Sequence, residues 1–199
     1  MIGVGLALMA LPVGLVTSTA ATQRAFGELS SLGVKDLRAI EDAAESFTNT
    51  WSGSTKAEFI TVAYDVRSAL SGLTDEAAGS FTAMAVPTGK ATKATTEEMV
   101  GTFTTIYGIF KPIMQDMSDA QWTKTFAGAM VQTVASFKTN GRQMADVIKN
   151  IGTVTASSNV PLQEQLAILG QLQTARLGSE AGTLYKAFIM KAAEAGEKL

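Results

Sequence analysis

Neither cysteine nor histidine occurs anywhere in this 199-residue sequence. Without cysteine there is no disulfide, no thiolate metal ligand and no thiol nucleophile. Without histidine, the commonest general acid/base and metal ligand of neutral pH is gone as well. Together the two absences exclude Ser-His-Asp and Cys-His catalysis and ordinary zinc sites. Carboxylate chemistry is the enzymatic option that survives. Charge is scarce too: Asp, Glu, Lys and Arg make up 17% of the chain, against about 25% in an average soluble domain. The formal net charge is −2, and there is no Lys/Arg stripe of the kind with which a nucleic-acid binder displaces counterions. No specific nucleic-acid binding is expected.

What is present is apolar and small. Hydrophobic residues form 46% of the chain, ample for a core and too many for global disorder. Helix surfaces must then be built largely from Ala, Thr, Ser and Gly, which suit packing against other helices or other copies better than lone solvation. Ile2 to Val16 (IGVGLALMALPVGLV) is the extreme case, with no charge at all. It is shorter than the ~20 residues a helix needs to cross a bilayer, and Pro12 interrupts it. Ser18, Thr19 and Ala20 would suit a signal-peptide cleavage site, but no Lys or Arg precedes the run. Burial between helices or between copies is the expectation, with Gly3, Gly5, Ala7 and Ala10 permitting close approach. A membrane-active role, in which several copies pool these segments, is the alternative.

Strand signals are poor, whereas helix punctuation is dense. Thr17 to Leu32 reads as the continuation of the first helix, which stops at Gly33. Asp36 to Asn49 carries Leu37, Ile40, Ala44 and Phe47 on one face and leads to Trp51. Thr55-Lys56-Ala57-Glu58 is a capping box, its hydroxyl and carboxylate satisfying free backbone N–H groups; Phe59, Val62, Val66 and Leu70 follow as a stripe. Thr74-Asp75-Glu76 opens another helix with acids where the helix dipole favours them. This one is expected to fade before Pro87 and Gly89, leaving Thr88 to Thr95 as a loop or frayed start.

Thr95-Thr96-Glu97-Glu98 is a second capping box, leading into Met99, Phe103, Ile106 and Phe110, with Pro112 ending or kinking the helix. Ser118-Asp119-Ala120-Gln121 is a third, followed by Trp122, Phe126, Met130, Val134 and Phe137. Asn140-Gly141 reads as a stop. A shorter helix holds Met144, Val147, Ile148 and Ile151 and ends at Gly152; Thr153 to Asn159 is polar and small. Pro161 suits a first helical turn, ahead of Leu162, Leu166, Leu169 and Leu172 and a close at Gly178. Ser179 can cap a last helix through Leu184, Phe188 and Ala192. The expectation is an all-α fold of about eight helices in antiparallel hairpins joined by short Gly/Pro/Ser turns. No internal repeat or low-complexity linker divides the chain, and the weakest joints fall near Gly89 and Ser157. A chain that starts in one packed helix and stops in another is expected to be a piece of something longer.

Candidate chemistry is thin. Glu97 with Glu98, and Asp75 with Glu76, are paired carboxylates, but first helical turns account for them without catalysis. Asp116 and Asp119 resemble a sparse cation site lacking the Asp-x-Asp-x-Asp-Gly loop of calcium binders. Lys90, Lys93 and Lys111 form a mild basic cluster that reads as solvated charge. Gly178-Ser179-Glu180-Ala181-Gly182-Thr183 lacks the Lys and preceding strand of a phosphate loop, and its glycines suit a turn and close packing. No catalytic, metal or cofactor residue is assigned. Trp51-Ser52-Gly53 looks like the WxG turn of the helical-hairpin substrates of type VII secretion. Their Tyr-x-x-x-acid signal is broken here, since Ser68 stands four residues after Tyr64, and a Trp at a hairpin is more often a packing anchor.

Three blocks carry a stronger resemblance. The first is Ala63-Tyr64-Asp65-Val66-Arg67-Ser68-Ala69-Leu70-Ser71-Gly72-Leu73-Thr74-Asp75, followed by the Thr/Ala-rich stretch from Ala78 to Thr96. The second is Phe137-Lys138-Thr139-Asn140-Gly141-Arg142-Gln143-Met144. The third runs from Val160-Pro161-Leu162-Gln163-Glu164-Gln165-Leu166-Ala167-Ile168-Leu169-Gly170 through Leu172-Gln173-Thr174 to Gly178–Thr183. In order, spacing and residue type, residues 55–199 resemble the core domain of bacteriophage tail tape measure proteins, while residues 1–54, an apolar helix and the start of a hairpin, match less distinctively. The resemblance implies a non-enzymatic, rod-like structural protein of the virion tail, assembled in the host cytoplasm. It implies several copies acting as a homo-oligomer with tail tube and tail tip proteins. It further implies control of tail length and a part in genome ejection, including contact with a host membrane. At 1.5 Å per helical residue, 199 residues are too few for the whole ruler, so a fragment or a shortened relative is expected.

Overall fold

The structure, a computed structural model, describes residues 20–151, 153–158, 160–175 and 179–196. The apolar run 2–16 and the turn at Gly178 lie outside the described residues. Among the described residues there are nine α-helices and no strand: α1 (Ala20–Ser30), α2 (Leu37–Thr50), α3 (Lys56–Ala69), α4 (Asp75–Thr92), α5 (Thr96–Phe110), α6 (Asp119–Ser136), α7 (Gly141–Ile151), α8 (Leu162–Ala175) and α9 (Ser179–Gly196). Short 3-10 turns follow α5 at Lys111–Ile113 and α7 at Thr153–Ser158. The all-α expectation holds.

Helix starts follow the local chemistry. Thr55, Thr95 and Ser118 each accept a hydrogen bond from the backbone N–H three residues on, while Glu58, Glu98 and Gln121 reach back to the cap's own N–H. All three capping boxes are therefore complete, each satisfying two otherwise orphaned donors. Asp36 caps α2 by accepting from Arg38 and Ala39 N–H. The expected stripes point inward: Ile40, Ala44 and Phe47 on α2, Met99, Phe103, Ile106 and Phe110 on α5, and Trp122, Phe126 and Met130 on α6 are all buried.

Helices α2 to α5 pack each on the next, as do α7 to α9, and extensive packing also runs between second neighbours: α1 on α3, α2 on α4, α4 on α6, α5 on α7, α6 on α8 and α7 on α9. One hydrophobic cluster extends through these contacts from Phe26 to Ile189. Helix α4 is its hub, packing on α2, α3, α5 and α6.

That position explains why α4 does not fade before Pro87 but continues to Thr92. A proline inside a helix removes one backbone donor and costs about 3 kcal/mol in isolation. Here Val86, Thr88, Gly89 and Thr92 around it are all buried, so tertiary packing offsets the loss. The buried threonines are satisfied locally, Thr82 Oγ1 donating to Ala78 O at 2.9 Å, Thr88 to Met84 O at 2.7 Å and Thr92 to Thr88 O at 2.7 Å. A Thr/Ala-rich helix can thus be interior without orphaned hydroxyls. It stops at Lys93, in the left-handed region at φ 59°, with Ala94 N–H donating to Gly89 O at 2.9 Å.

Asn140-Gly141, expected to stop a helix, starts one instead. Helix α6 has ended at Ser136, and Asn140 Oδ1 accepts from Gln143 N–H at 2.9 Å at the head of α7. Gly141 lies against the end of α4, where an added Cβ would overlap Thr92.

Candidate interaction surface

The side chains singled out from the sequence are held in structural duties. Glu98 Oε2 accepts Thr95 N–H at 2.9 Å, and its other oxygen faces Arg142 Nε at 3.2 Å. The Thr95 backbone donor, helped by Arg142, holds its carboxyl below the usual glutamate range. Glu97 stands near Asp65, whose carboxyl is pushed up by burial first and by Glu97 second.

Asp75 closes a three-way staple. Its Oδ2 accepts from Lys35 N–H at 2.9 Å and Asp36 N–H at 2.8 Å, and its Oδ1 faces Arg67 Nε at 3.4 Å. Arg67 also donates to the carbonyls of Ser71 and Leu73. The Tyr64–Asp75 block therefore ties the α3–α4 turn to the α1–α2 turn. Glu76 is exposed.

Asp119 Oδ1 accepts from Tyr107 OH at 2.7 Å and faces Lys111 Nζ at 3.5 Å; burial, then Asp119, pushes the Tyr107 phenol up. Asp116 is exposed, and among the described residues no three acidic side chains converge as a metal cage would need. The lysines disperse, Lys90 Nζ donating to Gly53 O and Ser54 Oγ at 3.2 and 3.0 Å, Lys111 turning to Asp119 and Lys93 capping α4. Trp51 is no packing anchor: it is 49% exposed on the bend before α3, where Gly53 takes φ +84°.

Unpartnered apolar surface is concentrated on α9. Ala181, Gly182, Tyr185 and Ile189 turn inward, and α9 packs chiefly on α7. Gly182 sits so close that a Cβ there would overlap the Val147 carbonyl. Leu184 and Phe188, expected to line the helix's working stripe, are instead 44% and 65% exposed, and Met190 is exposed too. Leu184 and Phe188 are four residues apart and so share one helix face; Ala187, Ala192 and Ala195 are also exposed. Elsewhere among the described residues, large exposed apolar side chains are single: Trp51, Ile113 and Val131. Clustered exposed apolar side chains are what protein-docking faces are made of. No helix among the described residues is long and apolar enough to cross a membrane.

The model of the family described as phage-related minor tail protein matches residues 41–199, about four-fifths of the chain. The chain belongs to this family. It is accordingly a structural component of the phage tail, and the match begins inside α2 and takes in α3 to α9. No curated protein matches the chain, and no solved structure does. In the tail protein the buried amides went unread in the sequence: Gln165 Nε2 donates to Thr155 O and Val160 O at 3.0 and 2.8 Å, and Gln173 Nε2 to Gln143 O at 3.1 Å. Both lie on α8 and are buried beside its leucines, a position that hydropathy spacing alone assigns to apolar residues.

Proposed function

We propose that this tail protein is the helical core segment of a tape measure protein, acting without catalysis, in several copies, with tail tube and tail tip subunits. The observation that carries this reading is the family match over residues 41–199, within which the three tape-measure-like blocks fall on the staple, the α7 cap and the α8–α9 pair. The singled-out acids Glu98, Asp75 and Asp119 hold helix starts and turns, which supports a packing role. The longest helices have 18 residues, or about 27 Å at 1.5 Å per residue. Folded this way the segment adds little length, so it anchors or organises a ruler whose span lies in a longer helical part. Control of tail length and assistance in genome ejection follow from that role. Removing the chain from the phage or prophage that encodes it, and imaging particles by electron microscopy, tests the proposal. Absent tails, or tails of altered length, are expected; tails of unchanged number and length would refute it.

A second reading, a secreted or membrane-active helical protein of WxG type, is favoured by the exposure of Trp51 at the Ser52-Gly53 bend. Leakage of liposomes by the purified chain, lost on deleting residues 2–16, would support it over the tail-assembly role.

A further inference from the structure

Second-neighbour packing lays the described helices in two rows, α1–α3–α5–α7–α9 and α2–α4–α6–α8. The two ends of this array differ. At the first, α1 and α2 expose no large apolar side chain, and Arg38, Asp42 and Glu45 of α2 are exposed. At the other, α9 exposes Leu184, Phe188 and Met190. Stacked helical units need a polar outer face at each end to stay in solution, and α9 lacks one.

The exposed side of α9 also carries an ordered pattern of charge. Glu180, Leu184, Ala187, Phe188, Lys191 and Ala195 are all exposed. With a turn every 3.6 residues they fall within about 100° of the helix wheel, a single stripe. An acid stands at its start, apolar side chains fill its middle, and a base stands near its end. Lys191 meets Glu194 of its own helix at 3.1 Å, and an ammonium has three donors, so it can serve an acid across an interface as well.

We propose that this stripe seats a second copy of the chain, the two α9 helices lying antiparallel about a twofold axis. Leu184 then lies opposite the partner's Phe188. Glu180 comes within one residue, about 1.5 Å of helical rise, of the level of the partner's Lys191. Each contact occurs twice, as in any isologous interface. A parallel pair would instead set Glu180 beside the partner's Glu180 and Lys191 beside the partner's Lys191, which like charge disfavours. One uncapped end per chain closes as a pair, whereas a filament needs two different ends that fit each other. The inference rests on the tail reading for what brings copies together. A single helix pair is a smaller interface than the ~800 Å² per partner of a standard complex, so it forms among crowded copies and not in dilute solution.

Sedimentation equilibrium of the full chain tests this. Monomer at about 5 µM and dimer at about 1 mM are expected, as for a weak contact. Phe188→Asp should keep its helix content by circular dichroism and weaken the dimer by about ten-fold or more. Glu180→Lys and Lys191→Glu should each weaken it about five-fold, and the double exchange should recover the parent value, since both surface ion pairs return with reversed sign. Monomer at every concentration, association that grows past the dimer, or a dimer indifferent to the charge exchange would overturn the proposal. So would a chain that stays monomeric and floats on phosphatidylcholine vesicles through Phe188, which would give the stripe to a membrane. Each of these results leaves the tail role to be judged separately, by the number and length of tails.

Discussion

The α4–α6 centre and the α7–α9 layer are built on different physics. In the centre, rings fill volume: Phe103 meets Phe126 at 4.6 Å and Tyr107 meets Trp122 at 5.0 Å, both edge-on, while Trp122 stacks on Phe126 at 5.3 Å. Such pairs add about 0.5–1.5 kcal/mol each beyond the area they bury. The α7–α9 layer has little aromatic mass inside and relies on close backbone approach at Gly182 and on the buried amides of Gln165 and Gln173. The centre is therefore sensitive to lost volume, and the outer layer to added volume. The layer that packs by contact distance is also the one that leaves Leu184 and Phe188 in solvent.

The strongest way to break this contrast is Trp122→Ala. It removes the largest fully buried side chain and should cost about 3–5 kcal/mol, lowering the thermal midpoint and loosening amide protection through every helix. Gly182→Ala should act the other way, by overpacking against Val147, and cost about 1–3 kcal/mol. Its hydrogen-exchange footprint should stay within α7 and α9; a global footprint would mean that the two regions do not differ as described. Thr95→Ala removes the α5 cap and should cost about 1 kcal/mol by denaturant titration.

The companion change Glu98→Gln tests the charge in that cap. The folded carboxyl sits below its unfolded value, so its stabilisation is complete above the unfolded glutamate pKa and is lost as pH falls through the folded one. Between about pH 5 and pH 3, the variant's stability should therefore fall less steeply than that of the parent chain. The smallest effect has the opposite sign. Gly101 on α5 has open space where a Cβ would go, so Gly101→Ala should raise stability by about 0.5–1 kcal/mol, whereas the same change at Gly182 lowers it.

Helix starts were legible in the sequence because a cap is a local event. Thr55, Thr95 and Ser118 each announce a bond that three neighbouring residues complete. The α5 and α6 stripes were legible because large apolar residues recur at helical spacing. What escaped was set by distant partners. Pro87 and Gly89 are breakers in isolation, yet four packed helices hold α4 through them. Asn140 can cap either end of a helix, and contact between Gly141 and α4 goes with the starting role. On α9 two stripes compete, Leu184 with Phe188 and Ala181 with Tyr185 and Ile189. The small Ala181 and Gly182 admit α7 at close range, so the bulkier stripe is turned outward, an outcome invisible to hydropathy. The candidate surface was unreadable for the same reason.

In the proposed role, this helical module works by being covered by other protein in the tail. Hydroxyl-radical footprinting of Leu184 and Phe188 tests that most directly, comparing intact tails with the isolated chain. Strong protection of both side chains in assembled tails, with ready labelling of the free protein, is predicted. Equal labelling in the two states would contradict it.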